Sequence, residues 1–296
     1  MTAQLIDGAA IAAQIRAELA PRVTALKARG VQAGLAAILV GDNAASISYV
    51  SAKAKACEEI GVYSETFRLP VETTQEALLS LVRNLNADRR FHTILPQLPL
   101  PPHMDERTII DAIDPSKDVD GLHPMNLGKL LRGELDGAIP CTPNGVVELL
   151  KRTGIDPAGK HVVIVGRSTL VGRPLAVLLS NKTAGANATV TICHTGTRDL
   201  ARFTREADIV VLAAGHAKTL TKDMVRPGVV VIDVGTNRVD DPKRASGWRL
   251  VGDADLGVRE VASWVTPYSG GVGPMTIAML VVNTVRAAER AADLSS

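Results

Sequence analysis

The chain has 296 residues, 46% of them hydrophobic but only 3% aromatic, and a formal net charge of +2. That length suggests two domains with aliphatic cores, and a near-neutral charge without a basic run argues against electrostatic binding to nucleic acid or a membrane surface. Cys57, Cys141 and Cys193 lie far apart and give neither a disulfide framework nor a zinc spacing, so no metal is expected. No apolar run approaches the ~18 residues of a membrane span. The opening MTAQLIDGAAIAAQIRAELA lacks the basic head and long apolar block of a signal peptide, so a soluble, cytoplasmic protein is expected.

In chain order, Ile11, Ile15, Leu19 and Val23 give residues 9–29 a helical stripe. GLAAILV (34–40) is a buried strand, and GDN (41–43) turns into a helix over 44–60. Residues 62–69 read as a strand and 73–86 as a helix with Leu78, Leu81, Val82 and Leu85 inward. A third strand over 91–95 is stopped by Pro96. This alternation implies a parallel sheet with helices on both faces. QLPLPP (97–102) is a rigid loop at the carboxyl end of a strand, where open α/β sheets place ligands.

A helix over 106–113 precedes the polar stretch DPSKDVDGLHPMNLGKL, and PCTPNGVVELL (140–150) opens a helix that leads into a second domain. Four further strands are expected at 162–165, 189–193, 209–213 and 229–234. Residues 240–248 read as an exposed turn, and GGVGPMTIAML leads into a last helix through Val285. The expected fold class is α/β with two domains. An N-terminal α/β domain takes 1–140, a Rossmann-like domain takes 141–274, and a helix over 275–296 packs back on the first.

The second domain opens with HVVIVGRSTLVGRPLAVLLS (161–180): a β-branched strand, a turn with Gly166, Arg167 and Ser168, then a helix from Gly172. Strand, glycine turn and helix make the first unit of a dinucleotide-binding sheet, with the pyrophosphate at the helix N-terminus. The spacing departs from the usual fingerprint: Gly166 and Gly172 are six positions apart, and Ser168 replaces the middle glycine. An ordinary strand-to-helix turn is the alternative. The next strand ends in Cys193, His194 and Thr195, without the carboxylate that would hold the ribose 2′-hydroxyl of NAD. Arg167, Ser168 and Thr195 offer a cation and two hydroxyls instead, which favours the 2′-phosphate of NADP. Gly215 and Gly235 end the following strands and let backbone approach the same crevice.

In the first domain, Tyr49 and Lys53 stand four apart and share a helix face. A lysine on an alanine-rich face can be desolvated into use as a base, or its stem can lie along the core with the amine in water. Gln97 ends a strand among prolines, with an amide that both donates and accepts. Asp118 and Asp120 suggest general acid–base work, although an acid before glycine is also ordinary turn chemistry.

Taken together, YVSAKAKACEEIG, QLPLP, KDVDGLHP, PCTPNGV, VGRSTLVGRPLA, DVGTNR and GGVGPMT resemble the bifunctional methylenetetrahydrofolate dehydrogenase/methenyltetrahydrofolate cyclohydrolase family, in family order and over nearly the whole chain. The resemblance implies a folate cleft between the two domains, NADP on the C-terminal one, and a homodimer. It makes Lys53 the catalytic lysine with Gln97 its hydrogen-bond partner, Tyr49 the ring stacked on the aminobenzoyl group, and Asp120 the residue holding the pterin. It places Gly166, Arg167, Ser168, Gly172, Thr195, Gly215, Gly235, Thr236 and Thr276 around the cofactor, and Gly273 and Pro274 beside the substrate. Four positions depart from the family pattern: Pro96 where valine is usual, Tyr268 and Ser269 within TPYSGG, and Thr195 where serine is common. Pro96 is expected to remove a ladder donor just before Gln97. A dehydrogenase of the same fold acting on another small substrate, or a catalytically silent NADP-binding subunit, are the alternatives.

Overall fold

The computed structural model describes residues 2–244 and 247–294. The chain runs through β1 (Gln4–Leu5), α1 (Gly8–Ala28), β2 (Gly34–Val40), α2 (Ala44–Glu59), β3 (Tyr63–Leu69), α3 (Gln75–Ala87) and β4 (Thr93–Pro96). Then follow α4 (Glu106–Asp111), α5 (Pro124–Leu131), α6 (Cys141–Arg152), β5 (His161–Val165), α7 (Gly172–Ser180), β6 (Thr189–Cys193) and α8 (Leu200–Glu206). The last elements are β7 (Ile209–Leu212), β8 (Val230–Asp233), β9 (Asn237–Asp240), β10 (Trp248–Val251), β11 (Trp264–Val265) and α9 (Val272–Leu294). They divide into two compact units, one of Ala13–Cys141 with Ile277–Ser296, the other of Met1–Ala12 with Thr142–Thr276.

The first unit is built on a three-stranded parallel sheet of order β3-β2-β4. Every residue of β2 is buried, which its unbroken apolar run requires of a central strand. Asn43 caps α2 by accepting from Ala45 N and Ser46 N, so the helix starts where the GDN turn ends. α3 turns Leu78, Val82 and Leu85 onto Ile38, Phe91, Ile94 and Ile109. Each such fully buried side chain contributes about 1.5–3 kcal/mol. α5 was not legible as a helix. Its cap is His123, whose Nδ1 accepts from Met125 N, and Pro124 stands in its first turn.

The second unit carries a six-stranded parallel sheet of order β1-β11-β8-β7-β5-β6. β5, β7 and β8 are fully or almost fully buried, as expected of β-branched runs between helices. Two strands beyond the expected four extend the sheet. Gln4 and Leu5 pair with Trp264 and Val265, so the first residues of the chain join this sheet and not the domain expected over 1–140. A two-residue strand carries no periodicity, so its pairing is set by backbone bonds alone, such as Gln4 N to Ser263 O at 2.8 Å. The stretch expected as an exposed turn over 240–248 is flanked by an antiparallel pair, with Asn237–Asp240 matched to Trp248–Val251. Within it, Ala245 and Ser246 lie outside the described residues.

Candidate active site and cofactor turn

α2 carries Lys53 on a buried stripe with Ser46, Val50, Ala56 and Cys57. The lysine is only 5% exposed, and its Nζ donates to Gln97 Oε1 at 3.0 Å. A buried side chain with its amine on Gln97 favours the desolvated lysine over a stem along the core with a solvated head. Gln97 is fixed in turn, because its Nε2 donates to Leu98 O at 2.7 Å, leaving the amide oxygen for the lysine. Tyr49, one turn earlier and 41% exposed, places its ring centroid 5.9 Å from Lys53 Nζ. The site thus has an open aromatic face above a buried, oriented amine.

Pro96 takes no bond from this arrangement. Gln97 N donates to Ile38 O at 2.9 Å, whereas Ile94 N donates to Lys117 O at 2.7 Å on the other side. Amides of β4 therefore alternate between β2 and the far edge, and position 96 falls on the far edge. A proline is tolerated there because the missing donor does not belong to the β2 ladder. The expected loss of a ladder donor is corrected accordingly.

The two acids of DVDG part company. Asp118 is buried, and its carboxylate accepts from Gly121 N at 3.0 Å, His123 N at 2.8 Å and Asn126 Nδ2 at 2.9 Å. Burial pushes this carboxyl above its ordinary range against the pull of the Asn126 and His123 donors. Asp120 is half-buried and sits beside the Cys141 thiol. Burial, reinforced by Asp120 and opposed by Lys53, pushes that thiol well above its usual range. Cys141 therefore lies near both the lysine and the acid, and its Sγ also reaches Val119 O at 3.4 Å. Asn283 braces the same loop, donating to Val119 O and Ile139 O, both at 2.8 Å.

In the other unit, β5 ends at Gly166, whose φ of +139° is open to glycine and strained for other residues. A side chain on Gly172 would run into Gly166 O, and one on Gly166 into Ala213 O. The two glycines thus let strand, turn and helix close on one another. Ser168 Oγ accepts from Val171 N at 3.1 Å, which shapes the turn, while no side chain caps the first turn of α7. Arg167 is exposed and forms no ion pair among the described residues. Thr195 is exposed at the end of β6, in a turn closed by Thr197 Oγ1 accepting from His194 N at 2.8 Å. The donor set at this turn, an exposed guanidinium and hydroxyls beside an uncapped helix start, fits a phosphate.

Gly215 has a φ of +67° with open space where a side chain would point. Gly235 differs: a side chain there would run into the Asp253 carboxylate. Thr236 is exposed, and Gly273 and Pro274 are half-buried at the start of α9. Thr276 shares a hydrogen bond with Thr142, their hydroxyl oxygens 2.9 Å apart. Thr142, Cys141, Asp233 and Asp253 carried no signal separable from ordinary turn and helix-start residues. Only the folded contacts bring them forward.

Among the described residues no helix is long and apolar enough to cross a membrane, and no group of three or more His, Cys, Asp or Glu could hold a metal ion. Two family models match the chain. The tetrahydrofolate dehydrogenase/cyclohydrolase catalytic domain covers residues 6–120, and the NAD(P)-binding domain of that family covers residues 140–292. A bifunctional protein FolD of Delftia acidovorans is 54% identical over 294 residues, 99% of this chain and 100% of its own length. The solved FolD methylenetetrahydrofolate dehydrogenase/cyclohydrolase of Campylobacter jejuni is 49% identical with a TM-score of 0.91, covering 97% of this chain and 99% of its own. The Trypanosoma brucei methylenetetrahydrofolate dehydrogenase-cyclohydrolase, solved with NADP cofactor and an inhibitor, is 41% identical with a TM-score of 0.92, covering 98% and 99%. With both halves matched and relatives of this similarity along its full length, the chain belongs to the tetrahydrofolate dehydrogenase/cyclohydrolase family.

Proposed function

We propose that this chain oxidises 5,10-methylenetetrahydrofolate to 5,10-methenyltetrahydrofolate with NADP and then hydrolyses that product to 10-formyltetrahydrofolate. The observation that carries the reading is the buried Lys53 amine held on Gln97 Oε1 at 3.0 Å, in a chain whose two halves both match the family. The bridging carbon of the substrate lies between two nitrogens whose lone pairs expel hydride, so oxidation needs alignment more than acid–base help. NADP supplies the hydride acceptor when bound. Arg167, Ser168 and Thr195 hold its 2′-phosphate, Gly166 and Gly172 admit its pyrophosphate, and Gly215, Gly235, Thr236 and Thr276 line its further course.

Hydrolysis has different needs. Water attacks the methenyl carbon and loses a proton; as the bond from that carbon to N5 breaks, the hydroxyl loses its remaining proton to become the formyl oxygen and N5 gains one, so one proton is released to solvent overall. Lys53 Nζ, steered by Gln97, takes the first proton and returns one at N5. Tyr49 stacks on the aminobenzoyl ring and Asp120 accepts donors from the pterin edge, so the carbon stays within reach of the amine for both steps. Gly273 and Pro274 border the substrate. The working form is a cytoplasmic homodimer, a reading supported by the family resemblance and tested by sedimentation equilibrium.

Incubation with methylenetetrahydrofolate and NADP, followed at the NADPH and methenyl absorbances, tests the activity. NADPH should form with little methenyl compound accumulating, because hydrolysis removes it. Absence of folate turnover would reject the reading in favour of another substrate or a silent cofactor-binding subunit.

A further inference from the structure

Two buried carboxylates organise the loops that follow β7 and β8. Asp253 is fully buried. Its Oδ2 accepts from Ala214 N at 2.7 Å and Gly215 N at 3.0 Å, and its Oδ1 accepts from Asn237 Nδ2 at 2.8 Å. Asp233, 6% exposed, holds Asp253 in place: its Oδ1 accepts from Asp253 N at 3.0 Å and Gly235 N at 2.9 Å, and its Oδ2 from Ala254 N at 2.9 Å. Thr266 Oγ1 accepts from Asp233 N at 2.7 Å, which anchors the set to the segment after β11. The donors to both acids are amides: backbone N–H groups alone for Asp233, and backbone N–H groups with the Asn237 side chain for Asp253.

The packing leaves no slack. A side chain at Gly235 would strike Asp253 Oδ1, and one at Gly252 would strike Asp233 Oδ2. The glycine of DVGTN is therefore required by a carboxylate behind the loop. Its exposed neighbour Thr236 stands on the other side, toward solvent. The loop after β7 is gripped at its two consecutive amides, with Gly215 in the left-handed region. A loop pinned from behind through its backbone presents a fixed front, which is what a ligand-binding edge needs to avoid ordering costs on binding.

We propose that Asp253 is a positioning residue for NADP: from behind the sheet edge it sets the backbone of Ala214–Gly215 and, through Asn237, the strand start that follows Thr236. The inference rests on the reading that Gly215, Gly235 and Thr236 flank the cofactor. Asparagine at 253 can still accept from Ala214 and Gly215 with its one oxygen, but its Nδ2 then faces the Asn237 Nδ2, donor against donor. An aspartate at 237 restores a donor–acceptor pair with that asparagine but gives up the longer bond from Asn237 Nδ2 to Gly252 O at 3.2 Å, so the exchanged pair is a partial rescue.

The test combines three proteins with one titration of the parent. Asp253→Asn should weaken NADP binding about ten- to a hundredfold, the loss expected when a hydrogen bond to a charged group is broken. Hydrolysis of methenyltetrahydrofolate, which requires no hydride acceptor, should stay near the parent rate and KM. Asp253→Asn with Asn237→Asp should recover part of the NADP affinity, while Asn237→Asp alone, placing two carboxylates face to face, should recover none. In the parent, NADP should shift the amide resonances of Gly215, Gly235 and Thr236. If those resonances stay put, the reading of the loops falls and the inference with it. If they shift but Asp253→Asn binds NADP like the parent, the inference alone falls. Equal losses of NADP affinity and hydrolysis, or a double variant no better than the single, would reduce Asp253 to a general structural role and overturn the proposal.

Discussion

The two regions proposed to meet the reactants are built on opposite plans. Around Lys53 the polar groups are committed to one another before any ligand arrives: the amine is 5% exposed and bonded to Gln97, whose amide is bonded to Leu98. Around Arg167 the charged group is exposed and uncommitted, and only the backbone is fixed, by Gly166, Gly172 and Ser168. The difference follows from the two tasks. Proton transfer depends on the lone pair's direction, so its carrier must be oriented in advance and shielded. A phosphate brings its own charge, and a free guanidinium on a rigid turn can close on it.

Breaking the oriented side should produce the largest effect. Positioned proton transfer contributes about 10²–10⁴-fold, so Lys53→Met should slow methenyltetrahydrofolate hydrolysis by about that factor. Hydride transfer, driven by the substrate's own nitrogens, should survive in part. Asp118 sharpens the comparison, because it is the most committed side chain of the region. Asp118→Ala takes the acceptor from the buried Gly121 N, from the half-buried His123 N and from one of the two Asn126 Nδ2 hydrogens, the other remaining on Pro115 O. Urea denaturation should record a loss on the order of 3 kcal/mol. Asp120→Ala should instead cost folate affinity, read by isothermal titration, with little change in the urea midpoint. An Asp118 variant of parent stability would contradict the structural role assigned here.

On the open side, Arg167→Ala removes a single charge-assisted contact worth roughly 1.5–3 kcal/mol, so NADP affinity should fall about ten- to a hundredfold. NAD affinity should barely move, and equal losses for both cofactors would reject Arg167 as the 2′-phosphate ligand. The smallest effect belongs to Thr142, whose hydroxyl orients Thr276. Thr142→Val removes one neutral hydrogen bond of about 1 kcal/mol, so the dehydrogenase kcat should drop about fivefold with hydrolysis unchanged.

Legibility in sequence follows the same divide. The long strands announced themselves, because β2, β5, β7 and β8 are β-branched or aliphatic runs with no polar face to confuse them. β1 and β11 do not, since two residues carry no period, so the pairing of the chain start with Trp264 and Val265 is not readable from the sequence. Lys53 was visible as a stripe position but not as an oriented amine, because its partner lies 44 residues away. Spacing cannot separate Asp118 from Asp120; the burial of Asp118 and its three donors do. Asp233 and Asp253 read as turn acids beside glycines, and the reason for those glycines lay in side chains distant in sequence. Backbone patterns are local and were readable, whereas polar networks join distant segments and needed the fold.

The most direct test of the account is a time course of the Lys53→Met variant with methylenetetrahydrofolate and NADP, recorded at the methenyl and NADPH absorbances, with folate affinity measured alongside. The account predicts that NADPH forms while methenyltetrahydrofolate accumulates and decays slowly, at folate affinity close to the parent's. Normal folate binding with hydrolysis at the parent rate would contradict it, and the proton carrier would then have to be another group.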